Sequence, residues 1–175
     1  MAAMSRLGKQ LEEVISTLGT VGARFALIGG LALAPHKVIR ATQDIDLLTD
    51  ATSAEAIHQA LIGLGYQCLH TSPDAANYAR GDERVDFLFA HRPAAIRMLS
   101  GAPVLQTPFG ELRVVTTEGL IGLKLQGFVN DPRRTQDLED IRALIAANRA
   151  ELKIDEVREY FRLFNREALL KDLLK

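Results

Sequence analysis

Two aspartates, Asp44 and Asp46, alternate with the apolar residues Ile45 and Leu47. In a β-strand, residues two apart share one face and lie about 7 Å apart, so both carboxylates are expected on one face while Ile45 and Leu47 enter the core. Such a pair is tolerated when it is exposed, when one member is protonated, or when a divalent cation neutralises both. Magnesium suits the pair, because it takes one or two carboxylates and completes its shell with water and phosphate oxygens.

A double glycine, Gly29-Gly30, follows the apolar run 25–28 and is separated from Asp44 by 13 intervening residues. Glycines that end a strand and open a helical turn leave the backbone without Cβ atoms. The backbone N–H groups can then come close to phosphate oxygens. The glycines and the aspartates together predict a triphosphate bound beside a metal ion.

A third acid, Asp86, lies in the stretch 84–89, where apolar residues occupy every second position. Strand periodicity places Asp86 on the face opposite those apolar side chains. We predict that Asp86 either completes the metal site or acts as a base toward an attacking hydroxyl. Asp82 and Glu83 are weaker candidates for the same position.

Each feature alone has an ordinary structural explanation, since a double glycine is often only a turn and an Asp-x-Asp pair often faces solvent. The combination in this order favours a functional site. Competing motifs are missing from the sequence: it has no Gly-x-Gly-x-x-Gly, no Gly-Lys-Ser/Thr and no glycine at Thr49, where a calcium loop would need one. Neither Ser16 nor Ser53 lies in a nucleophile elbow, so covalent acyl transfer has no support in the sequence.

The segment from Gly29-Gly30 to the stretch Arg40-Ala41-Thr42-Gln43-Asp44-Ile45-Asp46-Leu47 resembles the nucleotidyltransferase (polymerase beta-like) superfamily. More narrowly, the chain is similar to AbiEii-type and minimal bacterial nucleotidyltransferases. Their helical Lys-Leu and Asp motif is matched by residues 120–125, by Arg133-Arg134 and by residues 137–141. The matched region extends from Phe25 to about Leu144.

This resemblance implies transfer of a nucleotidyl group from a nucleoside triphosphate to an acceptor hydroxyl, with release of pyrophosphate. Magnesium, or manganese as the alternative ion, would be held by Asp44, Asp46 and Asp86, and Asp86 would also assist the acceptor. The implied nucleotide-binding residues are Gly29, Gly30, Arg40, Thr42, Lys124 and Asp137. Among these, Asp137 would contact the base or organise Lys124, and Arg40 could instead neutralise Asp44 or Asp46.

Two other hypotheses stay open. The chain could bind a nucleotide or a partner through the same fold without turnover. It could also be a glycosyltransferase that holds a nucleotide sugar through manganese, although 175 residues is short for that class. The acceptor in the first hypothesis could be tRNA, a protein or a small molecule, and several members of the resembled family act as toxins with an antitoxin partner.

Composition predicts an ordinary globular chain. Apolar types make up 47%, and 21 Lys and Arg balance 22 Asp and Glu, so no general basic field indicates a nucleic-acid or membrane surface. The longest mostly apolar run, residues 25–35, is short of the roughly 18 residues of a membrane helix. With a single cysteine and no signal-like opening, a cytoplasmic protein without a membrane segment is expected.

Periodicity predicts an α+β fold in one domain, residues 1–175, with a mixed-sheet core over about 20–116 flanked by helices, and a helical part over about 117–175 packed on it. A capping box at Thr52 and Glu55 would open a helix. Residues 71–82 are predicted to form a surface loop. The predicted strands are 25–28, 44–48, 66–70, 84–89 and a hairpin of 104–107 with 112–115, and the predicted helices are 5–18, 31–36 and four that begin near 117, 135, 155 and 167.

Overall fold

The computed structural model describes residues 4–175 and confirms the predicted α+β architecture. Five strands form one mixed sheet in the order β1-β2-β5-β4-β3. β2 and β5 run parallel, and every other neighbouring pair is antiparallel. The strands are β1 Phe25–Ile28, β2 Ile45–Asp50, β3 Gln67–Thr71, β4 Ala75–Arg80 and β5 Glu83–Ala90.

Helices cover the sheet, and a separate two-stranded hairpin precedes the C-terminal helices. The hairpin consists of β6 Val104–Thr107 and β7 Gly110–Arg113. The helices are α1 Arg6–Thr20, α2 Ala54–Gly63, α3 Pro93–Ser100, α4 Thr117–Asn130, α5 Thr135–Asn148, α6 Ile154–Leu163 and α7 Glu167–Leu173. Short 3-10 turns occupy Gly30–Ala32, Ala34–His36 and Ala51–Ser53, so the predicted helix over 31–36 is two successive turns. None of the helices within residues 4–175 combines the length and apolar character needed to cross a membrane.

The two faces of the sheet differ in chemistry. On one face Ile45 and Leu47 of β2 are fully buried, as is Val85 of β5. Phe87 on the same face meets Tyr78 edge-on, with ring centroids 5.8 Å apart, and the Tyr78 hydroxyl is 3.1 Å from Nδ1 of His58 in α2. This face is therefore the apolar layer beneath α2, and the opposite face carries the alternate positions, among them Asp46 and Asp86.

The C-terminal helices pack tightly through glycines of α4. A Cβ at Gly122 would lie 2.9 Å from the ring of Tyr160, so α6 approaches α4 more closely than any larger residue would allow. A Cβ at Gly127 would lie 2.8 Å from Oδ2 of Asp137 in α5. The backbone N–H of Val115, just before α4, donates to the carbonyl of Leu27 at 3.1 Å. These contacts attach the helical part to the sheet.

The predicted surface loop over 71–82 is wrong, because β4 occupies half of it. Ala76 and Tyr78 are buried by alternation within β4, and the strand pairs on both sides, with β3 and β5. The segment outside the strands is the turn around Ser72, where the Ser72 hydroxyl accepts a hydrogen bond from the Ala75 N–H at 3.0 Å, together with the Gly81-Asp82 turn. The alternation of β4 was hard to recognise in the sequence, because most of its side chains are small and turn-forming residues precede it.

Three further differences are local. The proposed capping residue Thr52 donates to Oδ2 of Asp50 at 2.9 Å, and α2 begins only after a 3-10 turn. The hairpin is tighter than predicted, because β7 starts at Gly110, whose φ of 99° closes a connection of two residues. Helix α3 was not predicted. Pro93 in its first turn is compatible with a helix start, since Pro needs no N–H partner there.

Candidate active site

Asp46 of β2 and Asp86 of β5 lie directly opposite each other in the parallel register. Neighbouring strands are about 4.8 Å apart, and register partners in a parallel pair project from the same face. The structure therefore brings these two predicted acids together on the polar face of the sheet. Asn77 of β4 is in turn the partner of Asp86, so a polar row crosses three strands.

The charges of this row oppose one another. Burial raises the pKa of Asp46 to about 6, and the nearby carboxylates of Asp86 and Asp44 raise it as well, against the lowering effect of Lys124 and Arg134. Burial also raises the pKa of Asp86, partly offset by a hydrogen bond of 2.7 Å that the Asn77 side chain donates to its Oδ1. Asp44 is exposed just before β2. The carboxylate of Asp44 therefore raises the pKa of both other acids, and that of Asp86 raises the pKa of Asp46.

The double glycine makes room for side chains of the neighbouring strand and its lead-in. Gly29 has a φ of 65°, and a Cβ there would overlap the carboxylate of Asp46. A Cβ at Gly30 would lie 2.7 Å from Oγ1 of Thr42. The two glycines therefore let Asp46 and Thr42 pack directly against the chain that leaves β1. Their predicted contact with phosphates stays a prediction.

Lys124 is buried in α4 and held by two acids of α5. Its Nζ lies 2.7 Å from Oδ2 of Asp140 and 3.4 Å from Oδ1 of Asp137. Arg40 reaches the same Asp140 oxygen at 3.0 Å and does not pair with Asp44 or Asp46, so that predicted alternative is wrong. The network links α4, α5 and the segment before β2. The Arg40 Nε is buried without a hydrogen-bond partner among the described residues.

Sequence reasoning missed three polar residues of this region. Asp140 and Arg134 stood inside the matched motif, and Arg134 Nε binds Oδ2 of Asp137 at 2.7 Å. Burial, the larger effect, raises the pKa of Asp46 and of Asp86, and the positive charge of Arg134 lowers both. Asn77 was assigned to the predicted loop, so no periodicity pointed to it.

The weaker acidic candidates are engaged elsewhere. Asp82 forms an ion pair with Arg6, and Glu83 lies 2.7 Å from Arg80. Both pairs tie the β4–β5 turn region to neighbouring basic side chains. Neither acid belongs to the Asp46–Asp86 row.

The donor set fits the predicted magnesium ion only in part. Within residues 4–175 no group of three or more His, Cys, Asp or Glu side chains is arranged as a metal site. Two adjacent carboxylates on a partly buried face nevertheless match a hard cation that keeps water and takes phosphate oxygens as its other ligands. The two carboxylates therefore fit a metal ion whose other ligands include phosphate oxygens.

Comparisons with known proteins agree on the fold. No protein-family model matches the chain, and no curated protein matches it. The solution structure of the antibiotic-resistance factor ANT(2'')-Ia has a TM-score of 0.71 at 16% identity and covers 97% of both chains. A crystal structure of ANT(2'')-Ia with adenylyl-2''-tobramycin has a TM-score of 0.68 at 15% identity, covering 92% of this chain and 98% of that one.

A third similar structure is the lincosamide antibiotic adenylyltransferase LnuA with lincomycin bound. Its TM-score is 0.59 at 16% identity, and the match covers 83% of this chain and 99% of LnuA. At these identities the likeness concerns the fold. The chain therefore has the nucleotidyltransferase fold that the sequence motif predicted, and the AbiEii-type branch is not distinguished by these neighbours.

Proposed function

We propose that this protein is a metal-dependent nucleotidyltransferase that moves a nucleoside monophosphate from a nucleoside triphosphate to an acceptor hydroxyl. The observation that carries the proposal is the register-matched pair of Asp46 and Asp86 on one face of the sheet. Gly29 leaves the space that the Asp46 carboxylate occupies. A buried pair of like charges costs stability, and a fold retains such a pair most readily for binding or chemistry.

The proposed metal ligands are Asp46 and Asp86, with Asp44 at the beginning of β2. They would hold magnesium, or manganese as the alternative, which when bound supplies positive charge against the phosphates. Gly29 and Gly30 would offer backbone N–H groups to the triphosphate.

In the transfer, the acceptor oxygen forms a bond to the α-phosphorus. The bond from that phosphorus to the bridging oxygen breaks, and its electron pair leaves with pyrophosphate. The proton of the acceptor hydroxyl passes to Asp86, whose carboxylate binds a proton more readily because burial raises its pKa. Asn77 donates to Oδ1 of Asp86 and so holds the carboxylate that receives the proton in one orientation.

Lys124 would act as the positioned cation of the site. Its ammonium group is close enough to lower the pKa of Asp46, although burial, the larger effect, raises it. Asp140 and Asp137 hold the ammonium in place. A fixed cation costs no reorganisation when negative charge develops, so it stabilises the transition state more than a mobile one would.

The acceptor we propose is a small molecule. The neighbours that support this class are ANT(2'')-Ia, seen with adenylyl-2''-tobramycin, and LnuA, seen with lincomycin. A tRNA or protein acceptor, the AbiEii-type branch and an antitoxin partner are predictions that rest on the sequence motif alone.

Transfer of label tests the proposal. The protein is incubated with magnesium, each α-labelled nucleoside triphosphate in turn, and the small-molecule fraction of a cell extract. Wild type is expected to label an acceptor and release pyrophosphate, and Asp46→Asn and Asp86→Asn are expected to lose this activity. Asp155→Asn, at an exposed position in α6, is the matched control and should retain it.

A second candidate is a protein of this fold that binds nucleotide without turnover. It is favoured by the finding that no three metal-ligating side chains are gathered within residues 4–175. Tight nucleotide binding with no labelled acceptor in small-molecule, RNA or protein fractions would support this candidate. Failure to bind any nucleotide would contradict both.

A further inference from the structure

A cavity of about 460 Å³ opens on the same sheet face as the two acids. Its floor includes Leu48 and Leu88, which are register partners. Each stands two residues beyond Asp46 or Asp86, so this pair shares their face and lies about 7 Å farther along the strands. The volume is within the range of pockets for drug-sized ligands.

The walls of the cavity come from three helices and are largely apolar. Helix α3 contributes Ala95 and Met98, α4 contributes Leu123 and Gln126, and α6 contributes Tyr160. Gln126 offers hydrogen bonds among these apolar surfaces, whereas the Tyr160 hydroxyl donates to Oε1 of Glu156 at 3.5 Å. Such a lining favours a ligand with an apolar body and a few polar groups.

The charges at the cavity do not favour a polycation. Asp74 is the single carboxylate among its described lining residues. That carboxylate already lies 3.2 Å from Nε2 of His91 and 3.4 Å from Arg92. Within this lining, a ligand that carries several ammonium groups would meet the positive charge of Arg92 and no carboxylate without a basic partner. A neutral ligand would meet no such repulsion.

Sheet order separates this cavity from the proposed phosphate position. Gly29 and Gly30 follow β1, which borders β2 on one side, and Asp86 lies in β5 on the other side. The cavity is lined by β2, β5 and the start of α3, and no residue of β1 or of the Gly29-Gly30 turn is among its described lining residues, so it lies away from that turn and next to the strand that carries Asp86. Asp86 is the residue proposed to receive the acceptor proton.

We infer that this cavity binds the acceptor, a hydroxyl-bearing small molecule with a largely apolar body and at most one positive charge. The inference rests on the proposed function and narrows its substrate. The charge of the lining does not favour a compound of the tobramycin type, with several amino groups, as the natural acceptor. The nucleoside of the triphosphate is expected outside this cavity.

Binding of defined probes to the full chain tests the inference. The probes are 2-naphthylethanol, an apolar alcohol, together with tobramycin and magnesium-ATP as competitors, observed by saturation-transfer NMR and naphthalene fluorescence. Naphthylethanol is expected to bind saturably and to be displaced by neither competitor. Ala95→Phe fills the cavity and should weaken binding at least tenfold. Ile96→Phe, on the exposed side of α3, should not change it.

A second variant guards against misfolding of Ala95→Phe. Leu163 lines the cavity but is 64% exposed, so Leu163→Glu should fold and also weaken naphthylethanol binding. Equal binding in wild type and both cavity variants overturns the inference. Displacement by magnesium-ATP would make the cavity the nucleobase site, and displacement by tobramycin would make it a polycation site, and either result overturns it as well.

Failure of this inference is distinguishable from failure of the proposed function. Label transfer with no effect of the cavity variants on acceptor labelling overturns only the cavity assignment. Probe binding that behaves as expected, with no label transfer to any fraction, contradicts the nucleotidyltransferase proposal and with it the acceptor role, and leaves the cavity as a binding site for an apolar ligand.

Discussion

Asp46 and Asp86, 40 positions apart in the chain, occupy matched positions of the parallel β2–β5 pair and project from the same face of the sheet. Two partly buried carboxylates at this spacing repel each other, and the raised pKa of Asp46, about 6, results first from burial and then from Asp86 and Asp44. The fold therefore keeps mutually repelling carboxylates together in this row. Their cost can be measured as a change in the free energy of unfolding when one of them is replaced.

Asp46→Asn is expected to stabilise the protein while it abolishes transfer. The amide removes one of the mutually repelling charges, so the free energy of unfolding at neutral pH should rise by about 1 kcal/mol, the value of roughly one pKa unit. Urea denaturation of the metal-free protein measures it.

The matched control for Asp46→Asn is Asp50→Asn at the end of the same strand. Asp50 accepts hydrogen bonds from the hydroxyls of Thr52 and Ser53 and from the Arg24 N–H at 2.8 Å. Its substitution should lower stability instead, by about 1 kcal/mol. A loss of stability in Asp46→Asn would contradict the repulsion argument.

Gly29→Ala should cost far more stability than Gly22→Ala. Both glycines have positive φ, 65° and 70°, but only at Gly29 would the new Cβ overlap another side chain, that of Asp46. Nothing lies within 4 Å of a Cβ at Gly22, so that variant reports the backbone cost alone, about 1 kcal/mol. Chemical denaturation of both variants measures the difference, and equal costs would show that the Asp46 contact is unimportant.

The Lys124–Asp140 pair should show strong energetic coupling. Both side chains are buried, at 6% and 2% exposure, so removal of one leaves the other buried with one ionic partner fewer and should cost about 3 kcal/mol. A double-mutant cycle with Lys124→Met and Asp140→Leu should give a coupling of about 2 kcal/mol. The exposed pair Arg158–Asp155 provides the comparison, with an expected coupling below about 0.5 kcal/mol. Similar values for both pairs would refute the prediction.

Asn77→Ala should lower transfer by about 10- to 100-fold, because Asn77 orients the Asp86 carboxylate through a hydrogen bond of 2.7 Å. The fall should be mainly in kcat, with KM for the nucleotide little changed. Gln67→Ala on the edge strand β3 is the control and should leave both constants unaltered. An Asn77→Ala variant with normal kcat would show that Asp86 needs no such support.

Stability should fall in mild acid because of His36. Burial lowers the pKa of His36 below its usual 6.5, against smaller raising effects of the Val115 carbonyl and Glu118. As the pH drops below that unfolded value, the unfolded chain binds a proton that the folded chain does not, so the free energy of unfolding decreases. The ring bridges the Val115 carbonyl at 2.7 Å and the Thr117 hydroxyl at 2.9 Å.

The measurement is urea unfolding at about pH 7.5 and about pH 5 for wild type and His36→Asn. The acidic groups contribute to the pH dependence of both proteins, so the difference between them isolates the histidine. Wild type should lose more stability than the variant between the two pH values. An identical loss in both would show that His36 titrates normally.

Much of the fold could be predicted from periodicity. The alternation around Asp46 and Asp86 correctly separated the buried from the polar positions, because each strand buries one face whatever its partners are. The strand β4 was missed because its small residues give a weak alternating signal next to a Pro-Asp turn. For the same reason, Asn77 was not predicted as a residue of the site.

The sequence by itself determined which residues of β2 and β5 face the core, where glycines interrupt the chain and which acids could bind a metal, since these follow from local spacing and side-chain chemistry. Only the tertiary structure decided that Asp46 pairs with Asp86, that Lys124 rests on Asp140, and that Leu48 and Leu88 form the floor of a cavity. The physical reason is that strand register and helix packing over such separations are set by how all the apolar surfaces fit together. No local pattern carries that information.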